Sequence, residues 1–342
     1  MEAERAKDWI KVALVAGVSL PFFLLLLVHK PQPAKAERVW IPAGSYTRGD
    51  NEQHREERPR HTVTIKGFWL GKTEVTNRDF AEFVKATGYI TEAEKDLDAR
   101  NFPNAQPKDL KAGGMVFTKQ PGLEATLCGV GETPWWVFTP GANWQHPEGP
   151  NSSLSGRMDH PVVQVSYRDA LQYCKWVGGR LPTEAEWERA ARGGLEGKTF
   201  VWGDEERPKG KFMANHWQGE FPGHDTGEDG FTQTSPVGSF PANGFNLYDM
   251  AGNVWEFTAD WYDPELYQAA ATAEALPPLQ GYDPAGTGYG QRALRGGSWL
   301  CDQAYCFRFR PSARHGVDEL TATNHTGFRV AWDDPAPEVT HK

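Results

Sequence analysis

Cysteine is scarce in this chain: four residues among 342, enough for two disulfides at most. Positive charge is in deficit, with 36 Lys and Arg against 45 Asp and Glu and a net charge of −9, so a phosphate backbone is a poor partner and no nucleic-acid binding is expected. No Ser-His-Asp arrangement stands out. No glycine loop joins a strand to a helix in the way that cradles a nucleotide, and there is no zinc-protease helix. The ten His are scattered without a facial triad, which leaves an iron-dependent oxygenase without its ligands.

What is abundant is Gly, Pro and Trp, at 36, 25 and 14 residues. Such a chain buries large rings and turns often, and long helices cannot dominate it. A loop-rich α+β domain is expected. Near the N-terminus, Val12 to Val28 is an unbroken apolar run of 17 residues, flanked by Lys11 and by His29-Lys30. That length sits at the lower edge of a bilayer span, and Ala34-Lys35-Ala36 resembles a small-residue cleavage site. Residues 1–36 are therefore expected to be a signal anchor or a signal peptide, the anchor being favoured. Everything after them is expected on the exported side (periplasmic, secreted or lumenal), as one domain over 37–335 with a short tail at 336–342.

Local signals place the elements. Val39 to Pro42 reads as a strand, Gly44 to Tyr46 as a turn, and His61 to Leu70 as a second strand. Thr76, Ser166 and Thr183, with Asp79, Asp169 and Glu186 three residues on, are capping boxes that open three helices. Asp96 to Thr133 has weak periodicity and reads as a long excursion.

Three constellations carry chemistry. Cys301 and Cys306 follow a Gly296-Gly297 turn. In a straight strand residues five apart face opposite sides and lie ~16 Å apart, so the segment must bend for the sulfurs to meet. A disulfide, the default in an oxidising compartment, and a two-thiolate Cu(I) site both fit the spacing. The second constellation is Ala214 to Phe221 followed by Gly227 to Phe231, with Asn215, Asp229 and backbone carbonyls as donors, and the third is Asp249 to Glu256, whose two carboxylates a loop turning at Gly252 could bring together. Each would supply the hard oxygens that calcium needs, or be no more than a polar turn. Cys128 and Cys174 have no evident mates.

Several segments together resemble the formylglycine-generating enzymes, the sulfatase-modifying factors. They include GKTEVTNRDFAEFV, PWWVFTPGANWQHPEGP, GGRLPTEAEWERAARGG, TGEDGF, NVWEFTADWY and LRGGSWLCDQAYC, and the resemblance runs from about Val39 to Ala331. It implies the formylglycine-generating-enzyme fold, distantly C-type-lectin-like, with little regular secondary structure. It implies a copper-dependent oxidase that uses O2 and a reductant to convert the cysteine of a Cys-x-Pro-x-Arg segment in an unfolded sulfatase polypeptide to Cα-formylglycine. Cys301 and Cys306 match the pair that holds Cu(I), and Ser298 and Tyr305 match residues of the catalytic pocket. Trp255, Arg314 and His325 match substrate-binding positions. The calcium sets become Asn215, His216, Asp229 and Phe231, and Asp249, Gly252, Val254 and Glu256, the non-acidic members acting mainly through backbone oxygen. A monomer is expected. Departures from the family pattern are Ala191, Pro311 and Val330 at positions of bracing cysteines, which leaves Cys174 unpaired, His325 where Asn is usual, and Asp302 after the first active-site cysteine. The contrasting reading is a non-catalytic binding module on the same fold, with Cys301–Cys306 a structural disulfide.

Overall fold

Each of the three expected helices starts on its capping box. In the computed structural model, which describes residues 37–99, 106–123, 133–270, 280–284, 286, 288 and 290–337, α1 spans Asn77–Thr87, α2 Tyr167–Trp176 and α3 Glu184–Arg192. At α3 the Thr183 hydroxyl accepts from the Glu186 N–H at 3.2 Å while the Glu186 carboxylate accepts from the Thr183 N–H at 2.8 Å. The reciprocal pair satisfies two orphan donors of the first turn, worth about 1 kcal/mol at such a cap. Left-handed Gly88 and Gly193 end α1 and α3. The expected anchor over 12–28, Cys128 and residues 338–342 lie outside the described residues. Among the described residues no helix is long and apolar enough to cross a membrane.

The strands are short. β1 (Arg38–Ile41), β4 (Phe68–Gly71) and β13 (Ala331–Trp332) form one sheet with β4 in the middle. β2 (Gly44–Arg48) and β3 (His61–Ile65) form a hairpin. The segment read as a turn at Gly44 thus opens a strand, and the single strand read over His61–Leu70 is two. A second hairpin, β5 (Gly113–Phe117) with β6 (Trp136–Pro140), lies inside the expected excursion. Its glycines read as turn residues, but a Cβ on Gly114 would lie 2.1 Å from the Gln164 side chain, so here glycine marks close packing. A two-residue pair, β7 (Gly219–Glu220) and β8 (His224–Asp225), follows.

The sheet that builds the site comes last. β9 (Trp255–Trp261) and β10 (Gln291–Arg295) are its centre, with a short helix α4 (Leu266–Ala270) between them in sequence. β11 (Arg314–Asp318) flanks β10, and β12 (Thr326–Gly327) runs parallel to β9. Its inner face packs on α3 through a core of charge as well as rings. Glu184 and Glu188 of α3 are fully buried against Arg295 and Arg314, which are themselves fully buried, and Arg48 reaches the same carboxylates. Within Thr183–Glu188, Glu186 caps the helix, while Glu184 and Glu188, four apart, share the inward face. A smaller aromatic cluster of Phe117, Trp135, Trp217 and Trp299 packs beside the main core.

Candidate active site

The loop after β10 makes the site. Arg295 is held in the core, and Gly297 follows at φ 73°, where a Cβ would lie 2.8 Å from the Arg308 carbonyl, so only glycine lets the two strands of the loop pass. Ser298, fully buried, accepts the Leu300 N–H at 3.2 Å through its hydroxyl and the Cys301 N–H at 2.9 Å through its carbonyl. The bend then forms on Asp302. Its carboxylate accepts the Tyr305 N–H at 2.6 Å, and its carbonyl accepts the N–H groups of Cys306 and Phe307 at 3.0 and 2.7 Å. The five-residue separation is folded back, and the Cys301 and Cys306 sulfurs lie 2.7 Å apart as free thiols.

The two thiols are unequal. Burial pushes Cys301 well above its ordinary pKa, whereas the Cys301 thiol's hydrogen bond, together with the Arg308 guanidinium, holds Cys306 below its own. Arg308 is itself tied to Glu56 at 2.8 Å. Cys306 therefore ionises first, next to a fixed cation.

Both thiols line a cavity of about 380 Å³. Ser298, Tyr305, Trp255 and His325, all singled out in the sequence, line it with them. Arg314 does not: its guanidinium forks onto Glu184 at 2.8 and 2.7 Å, inside the core. The expected substrate contact is corrected to a structural ion pair. Trp135, Phe221, Arg308 and His315 line the cavity without having been singled out as site residues. The strand alternation of β11 is the signal that would have found His315, since with Arg314 inward its neighbour must face out. His325 is placed by the Trp255 N–H, which donates to its carbonyl at 2.9 Å. Its ring lies 4.6 Å from that of Trp136 and takes a 2.7 Å contact between Nδ1 and the Thr323 hydroxyl.

Phe221 and Tyr305 stack at 4.6 Å, nearly parallel at 12°, with Trp135 edge-on to both. This stack also walls a second cavity of about 580 Å³, lined by Glu220, His224 and Asp302 among others.

The two calcium sets assemble unequally. Asp229 accepts the N–H groups of His216 and Phe231 at 3.2 and 2.9 Å, and Asn215 is buried close by. Burial raises the Asp229 pKa, nearby Asp225 adds repulsion, and no described cationic side chain forms an ion pair with it. A buried carboxylate without a cationic partner fits a hard cation, although the neighbouring Asn215 and His216 carbonyls accept from the Asn253 N–H and the Gln218 amide. In the second set Asp249 is buried and shifted by desolvation to about 6, but Glu256 is already committed. Both of its oxygens accept from Arg329 at 2.6 Å, and one also takes the Trp187 indole N–H at 2.7 Å. The carboxyl that reaches Asp249 is Glu74, whose second oxygen is buried without a hydrogen-bond partner. The sequence reading missed Glu74 because it lies far from Asp249 along the chain. Among the described residues no three His, Cys, Asp or Glu side chains are grouped as a metal site.

The profile of the sulfatase-modifying factor enzyme 1-like domain matches residues 26–334. A formylglycine-generating enzyme of Mycobacterium tuberculosis is 47% identical over 87% of this chain and 98% of its own. A mouse relative named inactive C-alpha-formylglycine-generating enzyme 2 is 38% identical over 90% of this chain and 88% of its own. The solved structure of PvdO from Pseudomonas aeruginosa superposes with a TM-score of 0.57 at 26% identity, covering 88% of this chain and 96% of that one.

Proposed function

The chain belongs to the sulfatase-modifying factor enzyme family, and from that premise we propose that it oxidises a cysteine of sulfatase polypeptides to Cα-formylglycine. Its substrate is the unfolded chain around a Cys-x-Pro-x-Arg segment. Thiol, O2 and two reducing equivalents give aldehyde, hydrogen sulfide and water, so a reductant is required at each turnover. The observation that carries this reading is the pair of free thiols 2.7 Å apart on the wall of a cavity.

Two soft sulfurs at that spacing suit a low-coordinate soft ion, and Cys301 and Cys306 would hold Cu(I). Bound there, copper supplies the one-electron and dioxygen chemistry that side chains lack. The chain's own residues do the positioning. The Asp302 turn fixes Cys306 against Cys301, Arg308 favours the ionised sulfur, and Trp255, Tyr305 and Trp135 enclose the entering cysteine. Calcium at Asn215, His216, Asp229 and Phe231 would neutralise Asp229. In the second set, Asp249 with the carbonyls of Gly252 and Val254 would draw on Glu74 rather than Glu256. Export of the catalytic region, with residues 12–28 as anchor, belongs to the same proposal.

The test is conversion of a Cys-x-Pro-x-Arg peptide to an aldehyde by copper-loaded protein in air with a reductant. The relative named inactive motivates the contrasting reading, a binding module with the two cysteines joined. That reading requires neither conversion nor copper uptake.

A further inference from the structure

On the exposed face of β11 sits a group that the functional reading leaves unused. Arg314, His315 and Gly316 alternate, so Arg314 enters the core and His315 turns into the thiol cavity. Its imidazole lies 5.7 Å from the Trp255 ring, and among the described residues its ring nitrogens make no hydrogen bond. The other cavity imidazole, His325, has its Nδ1 engaged by Thr323. The charged and titratable groups around His315 are Arg308 with its partner Glu56, His325, Tyr305 and the two thiols.

An entering cysteine thiol needs a proton acceptor. Its ordinary pKa is about 8.5, so near neutrality only a few per cent is thiolate, and the thiolate is the form that binds a soft metal. Resting on the proposed function of this cavity, we propose that His315 is the base that removes the proton from the substrate thiol. The sulfur–hydrogen bond breaks, its electron pair stays on sulfur, and the proton goes to a ring nitrogen and then to solvent.

The resting ring is ready to accept. Although its surface is accessible, the cavity walls disfavour charge and Arg308 adds repulsion, bringing its pKa down to about 4, so it is neutral at working pH. A thiolate beside it reverses the sign of the local field and stabilises the imidazolium, as in any thiolate–imidazolium pair. His325, held lower still at about 3 and tied to Thr323, is the poorer acceptor.

The experiment is the pH profile of kcat/KM for peptide conversion by the copper-loaded full chain, comparing the wild type with His315→Asn, His315→Gln and His325→Asn. The wild-type profile should be flat from about pH 6 upward, because the base is already deprotonated there. Both His315 variants should fall about 100-fold near pH 6.5 and climb with pH toward the wild type as the thiol ionises unaided near pH 8.5. His325→Asn should stay flat with pH whatever its absolute rate, since a cavity-wall residue lost from binding lowers the profile without tilting it. Variant profiles parallel to the wild type, whether lowered or not, would overturn the assignment and leave the proposed function standing. No conversion by the wild type would overturn both.

Discussion

Arg314 grips Glu184 through two hydrogen bonds of 2.7 and 2.8 Å, both side chains fully buried, directly behind the strand that turns His315 into the thiol cavity. The pair ties α3 to β11, and Arg48 and Arg295 close on the same carboxylate. Glu184→Gln would leave three guanidinium groups with one less negative partner in a dry core. A loss of about 3–5 kcal/mol is expected in urea unfolding, while Glu186→Gln at the half-buried cap, which weakens its forked pair with Arg180, should cost less, about 1–2 kcal/mol.

Acid should release the same lock. Burial alone would raise the Glu184 pKa, but Arg314, Arg48 and Arg295 outweigh it and hold the group at about 2. A carboxylate depressed in the folded state gives stability that is present above its unfolded value near 4.3 and is lost as pH falls toward 2. The melting temperature should therefore drop between about pH 4 and pH 2, and Glu184→Gln should flatten that limb. An equally steep limb in the variant would move the acid sensitivity elsewhere.

The Phe221–Tyr305 stack separates the two cavities, so Phe221→Ala should merge them. The expected outcome is a KM for the peptide raised about tenfold with kcat within about threefold of the wild type, since the ring supplies uniform binding rather than chemistry. Truncating a partly buried Phe should also cost about 3 kcal/mol of stability, read by thermal melting. A fall confined to kcat would place Phe221 at the chemistry instead.

Calcium is expected to act through Asp229. Asp229→Ala should lower the melting temperature more in calcium than in chelator, where only the hydrogen bonds to the His216 and Phe231 N–H groups are lost. Equal losses in both conditions would remove the ion from this loop.

Local signals were legible in the sequence and long-range ones were not. The three helices could be placed because each capping box is a four-residue device. The need for a bend between Cys301 and Cys306 was also legible; the residue that makes it, Asp302, entered only as a departure from family pattern. Arg314 was misread because a charged side chain near a pocket motif suggests a ligand contact. Its buried partner Glu184 is 130 residues away along the chain. Glu74 escaped for the same reason, meeting Asp249 only after folding. The β5–β6 hairpin was missed because Gly113 and Gly114, needed for close packing, look like turn residues. Phe221 and His315 became site residues only once the sheet and the β7–β8 turn fixed which way they face.

The most direct measurement gives the copper-loaded chain a Cys-x-Pro-x-Arg peptide in air with a reductant and follows the cysteine by mass spectrometry, beside Cys301→Ser and Cys306→Ser. Aldehyde formation by the wild type, abolished in each variant while both stay folded, is the predicted result. A folded wild type that binds copper neither tightly nor at these two residues and leaves the peptide thiol intact would contradict the account.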